Sequence, residues 1–230
     1  MPKFNLGIDD DKTIIKVLFL GAANAGKSSL IQRYCANKFT GTRVATIGVD
    51  FLSKDINFAP DLPIVIQCWD TAGQERFASG GITSAFYRRA DGIILVYDIT
   101  SMESAEQLSK WNDEAQGVLG TKTPTIVIGN KHDRMPKNPD SNPVLFEDIT
   151  AVRSFVDVWC KEVGYIHLEC SAKDNFGVEA CMMAIISNAL EERKRKECSR
   201  PAGAPKANLR DSVAIDQLFV KPKDPACGCK

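Results

Sequence analysis

The chain has 230 residues, with 29 basic and 29 acidic side chains and 44% hydrophobic residues. That is enough for one domain with a sizeable core plus extensions. A formal net charge of zero gives no global drive toward nucleic acid, and no nucleic-acid partner is expected.

No apolar run approaches the ~18 residues of a membrane span. The start, Met1-Pro2-Lys3-Phe4, carries no apolar segment, and Asp9, Asp10 and Asp11 follow. It is read as neither a secretion signal nor a myristoylation site, so reduced thiols are expected. The eight cysteines include no C-x2-C pair, which argues against zinc. Cys68, Cys170 and Cys181 fall in apolar segments and are expected as small core residues.

A first strand is predicted over Lys16–Leu20. Gly21-Ala22-Ala23-Asn24-Ala25-Gly26-Lys27-Ser28 follows, and then a helix over Ser28–Ala36. A strand, a Gly-x4-Gly-Lys-Ser loop and a helix form a phosphate cradle. Gly21 and Gly26 permit turns that a Cβ would block. Loop amides from Gly21 to Ser29, with Ala23, Asn24 and Ala25 between, would face phosphate oxygens at the positive end of the helix. Lys27 would reach the β- and γ-phosphates, and the Ser28 hydroxyl would ligate Mg²⁺.

Asp50–Phe58 alternates and runs through Ala59-Pro60-Asp61-Leu62-Pro63 into a strand over Pro63–Trp69, predicting an antiparallel pair. Further strands are predicted over Gly92–Asp98, Pro124–Asn130 and Tyr165–Cys170, and helices over Glu103–Leu119, Ile149–Val163 and Gly177–Arg195. In the last helix Val178, Cys181, Met182, Ile185 and Ala189 follow the 3.6 period and should face the sheet. Arg134–Pro143, with three prolines, reads as a surface loop. The expected class is α/β: a mostly parallel sheet with one antiparallel edge strand and helices on both faces. Residues 1–12 are expected as an extension, 13–196 as the domain and 197–230 as a disordered tail rich in Pro, Ala, Gly and Lys.

In such sheets ligands bind at the strands' carboxyl ends. After Trp69 comes Asp70-Thr71-Ala72-Gly73-Gln74-Glu75. Asp70 can hold Mg²⁺ through water, the Gly73 amide can meet a γ-phosphate, and Gln74 can orient an attacking water. After Gly129 comes Asn130-Lys131-His132-Asp133. Asp133 can accept both donors of a guanine edge, which adenine lacks, and sites built this way reject the wrong base. Asn130 would pin neighbouring loops, and the Lys131 stem would cover the base. After Glu169 comes Cys170-Ser171-Ala172-Lys173, where an amide near Ala172 could bind the guanine carbonyl.

Together these segments resemble the Ras-like small GTPases in order, spacing and strand context, closest to the Rab family. The resemblance spans roughly residues 13 to 195. It is carried further by Thr46-Ile47-Gly48-Val49-Asp50-Phe51, Trp69 to Phe77, Phe86-Tyr87-Arg88-Arg89-Ala90 and Leu95-Val96-Tyr97-Asp98-Ile99-Thr100. It implies a P-loop GTPase domain with a six-stranded sheet that binds GTP and GDP with Mg²⁺. Thr46 then resembles the first-switch threonine, which joins Ser28 and Asp70 at the metal when GTP is bound. Phe39 stands where an aromatic ring meets guanine. Ile47, Phe51, Trp69, Phe77 and Tyr87 resemble a hydrophobic patch read by effectors.

The implied mechanism is positioning by Lys27 and Gln74, with slow intrinsic turnover because no arginine is placed in cis by motif. An activating protein would supply ~10³–10⁵ in rate. An exchange factor, an escort protein, a dissociation inhibitor and GTP-state effectors are implied partners. Cys227 and Cys229, near the end in Cys227-Gly228-Cys229-Lys230, resemble double geranylgeranylation sites that anchor a Rab on the cytoplasmic face of an endomembrane compartment, cycling with cytosol. Val213–Val220 is an apolar island suited to escort-protein docking, and Arg193-Lys194-Arg195-Lys196 reads as a solvated helix end.

The chain also departs from the pattern. Ala23 stands where relatives often carry Gly or Ser, and Arg43 where many carry Tyr. The stretch Ala78-Ser79-Gly80-Gly81 is longer than the norm, and residues 134–143 read as an insertion. Ala23 and the longer 78–81 stretch keep an alternative open, a GTP-loaded scaffold that barely hydrolyses. Asp133 argues against an ATP-using enzyme, and the terminal cysteines against a soluble nuclear-transport GTPase.

Overall fold

A computed structural model describes residues 13–41, 49–60, 62–71, 86–120 and 123–199. Within these residues the strands are β1 (Thr13–Leu20), β2 (Val49–Ala59), β3 (Leu62–Thr71), β4 (Gly92–Asp98), β5 (Thr125–Asn130) and β6 (Ile166–Glu169). The helices are α1 (Lys27–Ala36), α2 (Met102–Glu106), α3 (Leu108–Leu119), α4 (Pro143–Val163) and α5 (Val178–Cys198). One six-stranded sheet runs in the order β2-β3-β1-β4-β5-β6. Its pairings are parallel except for β2 with β3, which is antiparallel. The expected α/β class and the antiparallel edge are therefore present.

Strand residues alternate between two buried faces. Ile15, Val17, Phe19, Ile94, Val96, Ile126 and Ile128 join Leu30 and Ile31 of α1 and Met182 and Ile185 of α5 in one core. Leu18, Leu20, Ile93, Leu95, Tyr97 and Val127 join Leu108 of α3 and Ile149, Val152 and Val156 of α4 in the other. Both faces being covered explains why β1, β4 and β5 read as continuous apolar runs rather than as alternating ones. The five α5 residues expected to face the sheet are all buried. So are Cys68, Cys170 and Cys181, together with Cys160 of α4, which the sequence reading did not single out.

Three differences from the expected elements have local causes. The helix expected over Ile149–Val163 starts earlier, at Pro143, where the surface loop is expected to end. Proline is tolerated in the first turn, where its missing N–H has no helical partner, and Asn142 caps the helix by accepting from the Leu145 N–H at 3.2 Å. Two 3₁₀ turns, His132–Arg134 and Pro139–Ser141, order the rest of the stretch. The run expected as one helix over 103–119 divides at Gln107 into α2 and α3. Finally, Arg193 is not simply solvated. It grips both oxygens of Asp91, at 2.7 and 2.6 Å, and donates to the Ile14 carbonyl at 2.6 Å. This pins α5 against the start of β1.

Because β1 and β3 to β6 are mutually parallel, their carboxyl ends share one side of the sheet. The segments after Leu20, Trp69, Tyr97, Gly129 and Leu168 therefore converge there.

Candidate functional site

The turn after β1 is possible only with glycine at two positions. Gly21 has φ +141°, and a Cβ there would lie 2.1 Å from the Val96 carbonyl oxygen. Gly26 has φ +95°, and a Cβ would lie 2.3 Å from Asn130 Nδ2. Asn24 also takes positive φ, and the Ala25 N–H donates to the Ala22 carbonyl at 3.3 Å. Ala23 and Asn24 are exposed and Ser29 is half-buried.

Lys27 is only 4% exposed. Its Nζ donates to the carbonyls of Gly21 at 2.8 Å and Ala22 at 3.0 Å. Burial pulls its pKa down to about 8, against the opposing pull of the Asp70 carboxylate. A buried ammonium, a loop without Cβ atoms at its two tight turns and a helix N-terminus make a bed suited to an oxyanion. The Ser28 hydroxyl donates to Asp70 Oδ2. Thus α1 and β3 bring a hydroxyl and a carboxylate together, the hard oxygen ligands that Mg²⁺ takes.

A second cluster forms where β5 and β6 end. Asn130 is buried, and its Nδ2 donates to the Ala25 carbonyl at 2.9 Å while its Oδ1 accepts from the Ala172 N–H at 3.2 Å. One amide thus ties the phosphate-type loop to the Ser171-Ala172-Lys173 turn. Asp133 Oδ1 accepts from the Ser171 hydroxyl at 2.7 Å, and Oδ2 lies 3.5 Å from Lys173 Nζ. Lys131 holds positive φ, and its Cε passes 4.0 Å from where a Gly26 Cβ would stand. A wall formed by the Lys131 stem, a fixed carboxylate and a backbone turn can recognise a planar ring with two adjacent donors.

Several contributors gave no local signal in the sequence. Arg33 Nε donates to the Ala172 carbonyl at 2.7 Å and Nη2 to that of Lys173 at 3.0 Å, so α1 holds the turn from behind. Asp98 at the end of β4 accepts from Lys131 Nζ at 2.5 Å. Burial would raise its carboxyl, but hydrogen bonds from Lys131 and Thr100 outweigh that and hold it below the usual carboxylate range. Such pairings join residues far apart in sequence, so only the fold brings them together.

Of the aromatic patch, Phe51 stacks on Trp69 with centroids 5.1 Å apart. Phe86 meets Trp69 edge-on at 5.8 Å, and Lys16 Nζ lies 4.1 Å from the Trp69 ring centroid. Tyr87, named in the sequence reading, is only 2% exposed and donates inward to Glu114 at 3.2 Å. The ring beside Trp69 is therefore Phe86. The Phe39 ring is exposed. Arg43, Thr46, Ile47, Gly73, Gln74, Phe77, the 78–81 stretch, Cys227 and Cys229 lie outside the described residues, as do residues 1–12 and 200–230. Among the described residues, no helix is long and apolar enough to cross a membrane.

A family model described as the Ras family matches residues 16–191. The GTP-binding protein yptV5 of Volvox carteri is 38% identical over 195 residues, covering 83% of this chain and 89% of the relative. A Ras-related protein Rab7 of Pisum sativum is 39% identical over 223 residues, covering 95% and 98%. A Ras-related protein Rab7 of Cenchrus ciliaris is 38% identical over 195 residues, covering 83% and 89%.

Proposed function

The chain belongs to the Ras family of GTPases, and from that premise we propose that it is a Rab-type switch for vesicle-mediated membrane traffic. It works from the cytoplasmic face of an endomembrane compartment and cycles with the cytosol. The proposed organisation is an N-terminal extension over 1–12, a GTPase domain over 13–196 and a hypervariable tail over 197–230.

The observation that carries the reading is the Asn130 amide. It joins the loop suited to phosphate and the turn suited to a base, at 2.9 and 3.2 Å. In the proposed site, amides of Gly21 to Ser29 and the Lys27 ammonium hold the phosphates of GTP or GDP. Ser28, Asp70 and Thr46 would hold Mg²⁺, which when bound neutralises charge on β- and γ-phosphate oxygens. Asp133 reads the guanine donors, the Lys131 stem and Phe39 cover the ring, and Ser171, Ala172 and Lys173 complete the base site.

Lys27 and Gln74 are the proposed catalytic residues. Lys27 exchanges its carbonyl partners for phosphate oxygens, and Gln74 aims the attacking water. Thr46 and Gly73 engage the γ-phosphate, so its loss releases both switch segments. Effectors read Phe51 and Trp69, the latter backed by the buried Phe86, together with Ile47 and Phe77. An exchange factor, an activating protein, an escort protein and a dissociation inhibitor run the cycle.

Ser28→Asn tests the metal assignment. The amide is larger than the hydroxyl and cannot serve as the same ligand, so the variant is expected to prefer GDP over GTP by roughly tenfold or more, with weakened Mg²⁺ dependence. Titration of both nucleotides at saturating Mg²⁺ checks it, and equal affinities contradict the role.

Membrane residence is proposed to need geranylgeranyl groups on both Cys227 and Cys229. Burial gives about 0.8 kcal/mol per CH₂, so one chain binds reversibly and two anchor stably. The double Cys→Ser variant is expected to be fully soluble, and each single variant only partly membrane-bound. Mass spectrometry of the C-terminal peptide should show two isoprenoids; an unlipidated peptide from membrane-bound protein contradicts this anchor.

A further inference from the structure

Asp98 sits where β4 ends, and its two carboxylate oxygens are occupied differently. Oδ1 accepts from the Thr100 N–H at 3.0 Å and the Thr100 hydroxyl at 2.8 Å. Oδ2 accepts from Lys131 Nζ at 2.5 Å and Arg134 Nη1 at 3.4 Å. Arg134 Nη1 also donates to Thr100 Oγ1 at 3.1 Å, which closes a ring of contacts. Lys131 and Arg134 flank His132-Asp133 on either side. One carboxylate from a neighbouring strand therefore grips both ends of the turn that presents Asp133.

We infer that Asp98 is a specificity-positioning residue, which sets the Asp133 carboxylate against the base edge and lays the Lys131 stem along the wall above Gly26. The inference rests on the reading of Asp133 as the base reader. The backbone supports it. Lys131 holds φ 69°, a region that non-glycine residues rarely occupy and keep only where surrounding contacts enforce it. Its side chain is enforced by a largely buried anion, since Asp98 is only 7% exposed. At low local dielectric such a charge-assisted contact is stronger and more directional than at the surface. The hydrogen bonds from Lys131 and Thr100 also keep the carboxyl ionised against the effect of burial.

A purely structural role for Asp98 has a different signature. The turn from β4 to α2 is held by the Asp98 main chain, whose N–H donates to Ser104 Oγ at 3.0 Å. That bond survives Asp98→Asn. The variant keeps the shape and the Thr100 contacts but loses the charge that holds Lys131 and Arg134.

The experiment compares GDP with IDP on the full chain by competition against a fluorescent GDP analogue. Inosine keeps N1–H and the C6 carbonyl but lacks the 2-amino group, so the affinity ratio reports how well Asp133 is aimed. Damage to the fold or to the phosphate site lowers both affinities together and leaves the ratio unchanged. Asp98→Asn is expected to shrink the GDP/IDP ratio by about fivefold or more. Arg134→Gln, which removes one arm from a half-exposed side chain, is expected to shrink it by about twofold.

An unchanged ratio in Asp98→Asn overturns the inference, however much the affinities fall. If that variant does not fold, an unchanged ratio in Arg134→Gln overturns it instead. Asp133→Asn is measured alongside. A wild-type ratio in that variant would sink the Asp133 reading itself, whereas a collapsed ratio there with an unchanged one in Asp98→Asn sinks only the role of Asp98.

Discussion

Asp133→Asn is expected to reverse base preference. The carboxylate is proposed to accept two guanine donors, each bond to a charged group being worth about 1.5–3 kcal/mol. Losing both should weaken GTP and GDP by roughly 10²- to 10⁴-fold. Xanthosine nucleotides should improve, because the C2 carbonyl of xanthine needs a donor and the asparagine amide supplies one. The local structure should survive, since an asparagine oxygen can still accept the Ser171 hydroxyl that Asp133 Oδ1 accepts at 2.7 Å. Competition binding with both nucleotide series decides it. Retained guanine preference removes Asp133 from the base site.

Gln74→Leu is expected to have the largest effect on turnover. Leucine keeps the volume but can neither donate nor accept, so the attacking water loses its guide. GTP affinity should stay near wild type while single-turnover hydrolysis falls about 10²-fold. With an activating protein present, most of its ~10³–10⁵ stimulation should be lost. A variant within about twofold of wild type would move the account toward the alternative in which the chain is a GTP-loaded scaffold. Ala23, exposed in the loop after β1, and the longer stretch over 78–81 are the features that favour that alternative. Measuring wild-type stimulation beside Ala23→Gly separates a slow site from a blocked one.

The parts of this fold legible in the sequence are those set by local pattern. β1, β4 and β5 are buried on both faces and so read as apolar runs. Spacing alone predicts the glycine requirement at Gly21 and Gly26, and each position is blocked to a Cβ by a neighbouring segment. The start of α4 is not legible, because three prolines in ten residues read as breakers although Pro143 sits in the first turn, where proline costs least. The resemblance places Tyr87 in the surface patch, and sequence alone does not separate it from the adjacent Phe86. Only the fold shows that Phe86 meets Trp69 while Tyr87 turns inward.

The candidate site divides in the same way. Lys27 and Ser28 lie in the first turn of α1, Asp70 and Asn130 at the ends of β3 and β5, and Asp133 in the 3₁₀ turn just after β5, where motif and element coincide. Arg33 and Asp98 lie outside any motif that names a role. Arg33 reaches Ala172 across 139 residues of sequence and Asp98 reaches Lys131 across 33. Those contacts depend on strand order, which brings β4 beside β5, and on α1 packing near the turn after β6. No local window of sequence carries that information.

The loops after β1, β3, β5 and β6 are proposed to form one guanine-specific, Mg²⁺-dependent site. Equilibrium competition between GTP and ATP for the nucleotide-stripped chain, in Mg²⁺, tests it most directly. GTP is expected to displace a bound fluorescent GDP at a concentration at least about 10⁴-fold below that of ATP, the discrimination expected when a carboxylate is left unpaired by the wrong base. Comparable displacement by ATP and GTP would contradict it.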